Sequence, residues 1–134
     1  MELKDALLTL TLVLASGAAT VVSESIDTGK STDLAQQPGS IEGILTVPTL
    51  TASQLPDAVT MKYDIIFSDK ADLSDPVVYI AGAITQVGAA GAGAVANTYR
   101  FRLPTNGKRY LGFRATNGGT GNASAVSAIL ELAA

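Results

Sequence analysis

The chain has 134 residues, a mass of 13.6 kDa and no cysteine, histidine or tryptophan. That length fits one domain, 1–134, and the missing residue types exclude disulfides, thiolate metal sites, cysteine nucleophiles and histidine bases or ligands. Nine basic and twelve acidic residues give a net charge of −3, a charged fraction of only 16% and a mean hydropathy of +0.31, so apolar surface is either exposed or buried against other chains, and a homo-oligomer or lattice is expected.

Residues 1–20 imitate a secretory signal, with an apolar run followed by small residues. The n-region is wrong for one, because Glu2 and Asp5 outweigh Lys4. Residues 7–14 instead alternate as a strand does: Leu8, Leu10, Leu12 and Leu14 share one face, while Leu7 and Val13 make the other partly apolar. We expect residues 1–14 to form an N-terminal strand between subunits, with those four leucines in the contact. Neither an export signal nor a membrane anchor is expected.

Seven further strands are predicted at 19–26, 41–47, 59–67, 77–84, 97–103, 108–115 and 122–132, each bounded by Gly, Pro, Asn, Asp or Ser. In 59–67, Val59, Met61, Tyr63, Ile65 and Phe67 form the inner face and Thr60, Lys62 and Asp64 the outer one. Ile66 breaks that polar face and is expected to meet a neighbouring chain. In 97–103, Tyr99, Phe101 and Leu103 point inward and Thr98, Arg100 and Arg102 outward. Between this strand and the next lies Pro104-Thr105-Asn106-Gly107, a tight-hairpin signal. Residues 28–40 carry no periodicity beyond a short turn at 31–36. Residues 88–94 are a Gly/Ala tract that reads as a flexible loop. Eight strands with one wet face predict an all-β, antiparallel, two-sheet sandwich, with a jelly roll ahead of an immunoglobulin-like arrangement.

Chemical motifs are few. Gly29-Lys30-Ser31 resembles the end of a phosphate-binding loop, but Glu24 stands where that loop needs glycine. Gly88, Gly91 and Gly93 have the wrong spacing for a dinucleotide fingerprint. Asp64, Asp69, Asp72 and Asp75 lack the spacing of a calcium loop and read as a solvated turn. A serine–lysine dyad has no support in any spacing. Five of the nine basic residues, Arg100, Arg102, Lys108, Arg109 and Arg114, fall on one expected hairpin. The acidic whole opposes phosphate approach, so these arginines are expected to contact a neighbouring subunit rather than nucleic acid. No catalytic, cofactor-binding or metal-ligating residue is expected, and no membrane partner.

Three stretches resemble the small jelly-roll capsid cement (decoration) proteins of tailed bacteriophages: Ala19 to Gly29 with its Ser25-Ile26-Asp27-Thr28-Gly29, Ile65 to Asp75 running into an Asp/Ser-rich turn, and Lys108 to Thr116 with its Arg109-Tyr110-Leu111 strand. The resemblance spans about residues 5–132 and implies a non-enzymatic virion protein on the capsid exterior, commonly trimeric, that clamps adjacent major capsid subunits. The alternative is a carbohydrate- or receptor-binding sandwich of a phage tail or adhesion protein, which would display Tyr63, Tyr79, Tyr99 or Tyr110 as a platform.

Overall fold

The clearest strand in the sequence is also the centre of the structure. In the computed structural model, which describes residues 9–27, 42–102 and 109–133, β5 runs from Thr60 to Ser68. Met61, Tyr63, Ile65 and Phe67 are buried on its inner face, as the period-two alternation predicts. The other strands are β1 (Thr9–Val13), β2 (Thr20–Val22), β3 (Ile26–Asp27), β4 (Glu42–Val47), β6 (Val77–Val87), β7 (Asn97–Arg102), β8 (Tyr110–Asn117) and β9 (Ser127–Ala133). One sheet has the order β1-β9-β4-β7; the other has β2-β8-β5-β6, with β3 also on β8. Every strand pairing is antiparallel.

The fold is the predicted eight-ribboned antiparallel sandwich. β2 and β3 are two segments of one ribbon, which the sequence reads as continuous from 19 to 26. The interruption has a local cause. Ser23 turns its Oγ into the ladder, where it accepts from the Phe113 N–H at 3.0 Å and donates to the Glu24 carbonyl at 2.7 Å. The pairs Val22↔Arg114 and Ile26↔Leu111 then leave one extra residue on the β2–β3 side, a bulge.

The pairings nest. β5–β6, β4–β7, β2/β3–β8 and β1–β9 follow one another as in a single long hairpin, and β4–β9 and β5–β8 close that hairpin on itself. Between the sheets lies one core. It includes Leu10, Leu12 and Leu14 from the β1 segment, Leu45 and Val47 from β4, Leu111 and Phe113 from β8, and Leu130 and Leu132 from β9. The Phe101 ring lies where a side chain at position 43 would be, so glycine at Gly43 lets the aromatic cover its cross-strand neighbour.

Two expectations change here. β7 and β8 do not form a hairpin; they belong to different sheets, so the chain crosses the sandwich between them. The turn expected at 104–107 lies outside the described residues, as do the turn at 31–36, Gly29-Lys30-Ser31, Leu8 and Lys108. The tract 88–94 is not loose. Leu50 and Ala94 exchange backbone hydrogen bonds at 2.8 and 2.9 Å, Gly88 donates to the Val59 carbonyl at 2.9 Å, and the Gly91 N–H donates to Asp57 Oδ1 at 2.8 Å. Its small side chains permit close backbone approach.

Gly91 and Gly93 separate conformation from packing, because both have φ of +66°. A Cβ at Gly91 meets nothing, whereas one at Gly93 collides with the Leu50 carbonyl. Gly91→Ala should cost about 1 kcal/mol from left-handed strain. Gly93→Ala should cost about 3 kcal/mol, the same strain plus overpacking. Urea titration of the two variants measures the difference; equal losses would mean the tract is unpacked.

Candidate functional site

The expected interface residues separate into different environments. Leu10, Leu12 and Leu14 are buried in the chain's own core, and β1 is the edge strand of its own sheet. The alternation that suggested an interface is the same one that a core strand requires. Ile66 also has no surface to offer a neighbour. It is fully buried on the outer side of β5, opposite Gly112, and Leu73 of the 68–76 turn packs directly over that glycine.

The arginines are not one patch. Arg100 and Arg102 stand on β7, at the edge of one sheet, while Arg109 precedes β8 and Arg114 lies within it, in the other sheet. Arg100 is exposed and pairs with Glu42 of the adjacent β4 at 2.8 Å. Arg102 is exposed, and its carbonyl accepts the Tyr79 hydroxyl at 3.1 Å. The Arg109 guanidinium lies 5.2 Å from the centre of the Tyr110 ring. Arg114 Nε donates to Asp64 Oδ2 at 2.9 Å.

Asp64 is the node of that last contact. Its carboxylate is buried, and Oδ1 accepts the Gly82 N–H at 2.8 Å. Gly82 has φ of +63° and lies in a bulged stretch of β6 where the register with β5 shifts. One carboxylate therefore fixes both the bulge and the arginine of the next strand. In the 68–76 turn, Asp72 Oδ1 accepts the Ser74 N–H at 3.0 Å and Lys70 pairs with Asp75 at 2.9 Å. Ser74, through its hydroxyl first and its N–H second, holds the Asp72 carboxyl below its ordinary value. Among the described residues no group of acidic side chains is arranged to hold a metal ion.

A second buried polar group went unnoticed in the sequence. The Tyr63 hydroxyl donates to Gln86 Oε1 at 2.7 Å, and Gln86 Nε2 donates to the carbonyls of Pro48 and Val95 at 2.8 and 3.0 Å. Burial pushes the Tyr63 phenol well above its ordinary value. A lone glutamine inside an alternating strand was the available signal.

Apolar side chains are also exposed. Val77, Val78, Tyr79, Val87 and Val95 are exposed, Val95 to 80%. The first four belong to β6, which has eleven residues and no charge. A groove of about 300 Å³ runs between residues 85–87 and 93–95. On the opposite side, a cleft of about 390 Å³ lies between β1 and β2, lined by residues 9–12 and by Val22, Ser23 and Glu24. The ring of Tyr79 sits 5.6 Å from Phe67 and 6.3 Å from Phe101, closing the sandwich where β6 meets β7. No protein-family model matches the chain, and no curated protein matches it.

Two measurements probe these nodes. Asp64→Ala strands the Gly82 N–H and removes the Arg114 partner, and should cost about 3 kcal/mol in chemical denaturation. Tyr63→Phe leaves Gln86 Oε1 without its donor and should cost about 1–2 kcal/mol at neutral pH. A phenol with a raised folded-state value favours folding fully below the unfolded value of about 10 and loses that contribution as pH rises above it. The wild type should therefore lose stability more steeply above that pH than Tyr63→Phe; parallel curves would show that the phenol ionises freely in the folded state.

Proposed function

We propose that this chain is a non-enzymatic virion structural protein that binds the outside of a tailed-phage capsid and bridges adjacent major capsid subunits. The single observation that carries the reading is the uncharged valine-rich rim of β6 with Val95 beside it. Val77, Val78, Tyr79, Val87 and Val95 stand exposed on or beside this one uncharged strand, and exposed apolar surface marks contact sites on small domains. The buried polar chemistry supports the same reading, because Asp64, Tyr63, Gln86 and Asn117 are each spent on internal hydrogen bonds.

Strand order adds support for a jelly roll. Counting β2 and β3 as one ribbon, the sheets hold ribbons 1-8-3-6 and 2-7-4-5, the result of rolling up a long hairpin. Such a scaffold is rigid and presents its edges and loops at fixed positions. Repeated weak contacts around a particle then add through effective concentration. The carbohydrate- or receptor-binding alternative draws less support. Tyr63 is buried, and the Tyr79 hydroxyl is already bonded to the Arg102 carbonyl.

An antibody against the chain should label the outside of intact tailed-phage particles from the same source, over the capsid. Labelling confined to tails, or none, would overturn the assignment. The paired substitution Val78→Asp and Val95→Asp should change folding stability by no more than about 0.5 kcal/mol and abolish particle binding in co-sedimentation. Undiminished binding would show that the rim is not the contact.

A further inference from the structure

Every sheet edge exposes unpaired backbone groups, and proteins block such edges with charge, bulges or interruptions. Three of the four edges here are blocked. β7 carries Arg100 and Arg102. β6 is bulged on either side of Ile80, next to Gly82. The β2–β3 edge is broken at residues 23–25 and carries Glu24. β1 has none of these devices: Thr9-Leu10-Thr11-Leu12-Val13 has no charge and no proline, and its five pairs with β9 run in unbroken register. Among the described residues nothing pairs with its other side.

We propose that β1 is the seat of self-association, pairing antiparallel with β1 of a second copy about a two-fold axis at Thr11. The backbone parity fits. The Leu14 N–H donates to the carbonyl of Val126, just before β9, at 3.2 Å. Strand alternation then turns the N–H and C=O groups of Leu10 and Leu12 toward β9 and those of Thr9, Thr11 and Val13 toward the open edge. An axis at Thr11 sets Thr11 against Thr11 and Thr9 against Val13, so the residues that meet are those with free backbone groups. Leu10 falls beside Leu12 of the second copy, giving a cross-strand leucine pair on the core side.

The side chains agree with the backbone. Val13, 53% exposed, and Val22, 46% exposed, flank this edge. The cleft between β1 and β2 opens beside this edge, with Leu10, Leu12 and Val22 in its lining, and gives each copy a recess next to the axis. Two four-stranded sheets become one eight-stranded sheet, and the contact is isologous and closed, so it ends at a pair. This contact differs from the trimer that the cement-protein resemblance implies. It concerns the purified protein alone and does not rest on the capsid assignment.

Sedimentation equilibrium of the full chain should give a dimer whose affinity depends only weakly on salt, since the strands that pair carry no charge. Thr11→Pro removes an N–H that serves only the open edge, where proline is tolerated. It should weaken dimerisation about 30-fold while leaving the melting temperature of the subunit unchanged. The cysteine-free sequence permits a second test independent of proline. Across the axis the Thr11 Cα atoms should lie about 5.5 Å apart, within disulfide range, so Thr11→Cys should oxidise to a covalent dimer while Thr98→Cys on β7 does not. A monomeric or trimeric wild type, or equal cross-linking of the two cysteine variants, would overturn the proposal. A virion result for or against capsid attachment leaves it untouched.

Discussion

One buried amide holds the two sheets in register. Gln86 belongs to β6, yet its Nε2 reaches the carbonyls of Pro48, just after β4, and Val95, just before β7. Its Oε1 receives the Tyr63 hydroxyl from the middle of β5. The edge of one sheet is thereby tied to two adjacent strands of the other, β4 and β7. A fully satisfied buried network of this kind specifies one arrangement of its surroundings, because each alternative leaves a donor or acceptor unpaired in a medium that cannot solvate it. The 88–94 tract is ordered for the same reason: Val95 is anchored at one end, Gly88 at the other, and the glycines between let the backbones touch.

A second polar anchor acts on the opposite surface of the same sheet. Asp64 stabilises a left-handed glycine in β6 and orients Arg114 in β8. Side chains that could have served chemistry are thus committed to shape. What the molecule presents outward is mostly β-branched and uncharged, along β6 and along β1, and this division between a polar interior framework and an apolar rim is the physical basis of the structural role proposed.

Much of the sandwich can be read from the sequence, for identifiable reasons. Period-two alternation in 59–67 gives the inner face of β5 without ambiguity, and turn residues bound most strands to within a few positions. Spatial neighbours are harder to read. Arg100 and Arg114 seem adjacent only if residues 97–115 make a hairpin, and sequence spacing does not distinguish a hairpin from a crossing between sheets. Leu10, Leu12 and Leu14 look alike whether they face a core or a partner. Ile66 is hidden by a turn that folds back through Leu73, a tertiary event with no local signature. Glycine in 88–94 suggests freedom, whereas it supplies proximity. The exposed valines of β6 could be found from one feature, an eleven-residue strand without a charge, but which of them face solvent depends on bulges that the sequence does not mark.

The nested pairing carries a consequence for biosynthesis. β1 precedes every other described strand and, among the described residues, pairs only with β9, which follows them all. At ordinary elongation rates the nascent chain therefore spends on the order of 10 s with Leu10 and Leu12 bare at the ribosome. The first of these strands to emerge is the last to find shelter, which makes it the strand on which a holding chaperone would act.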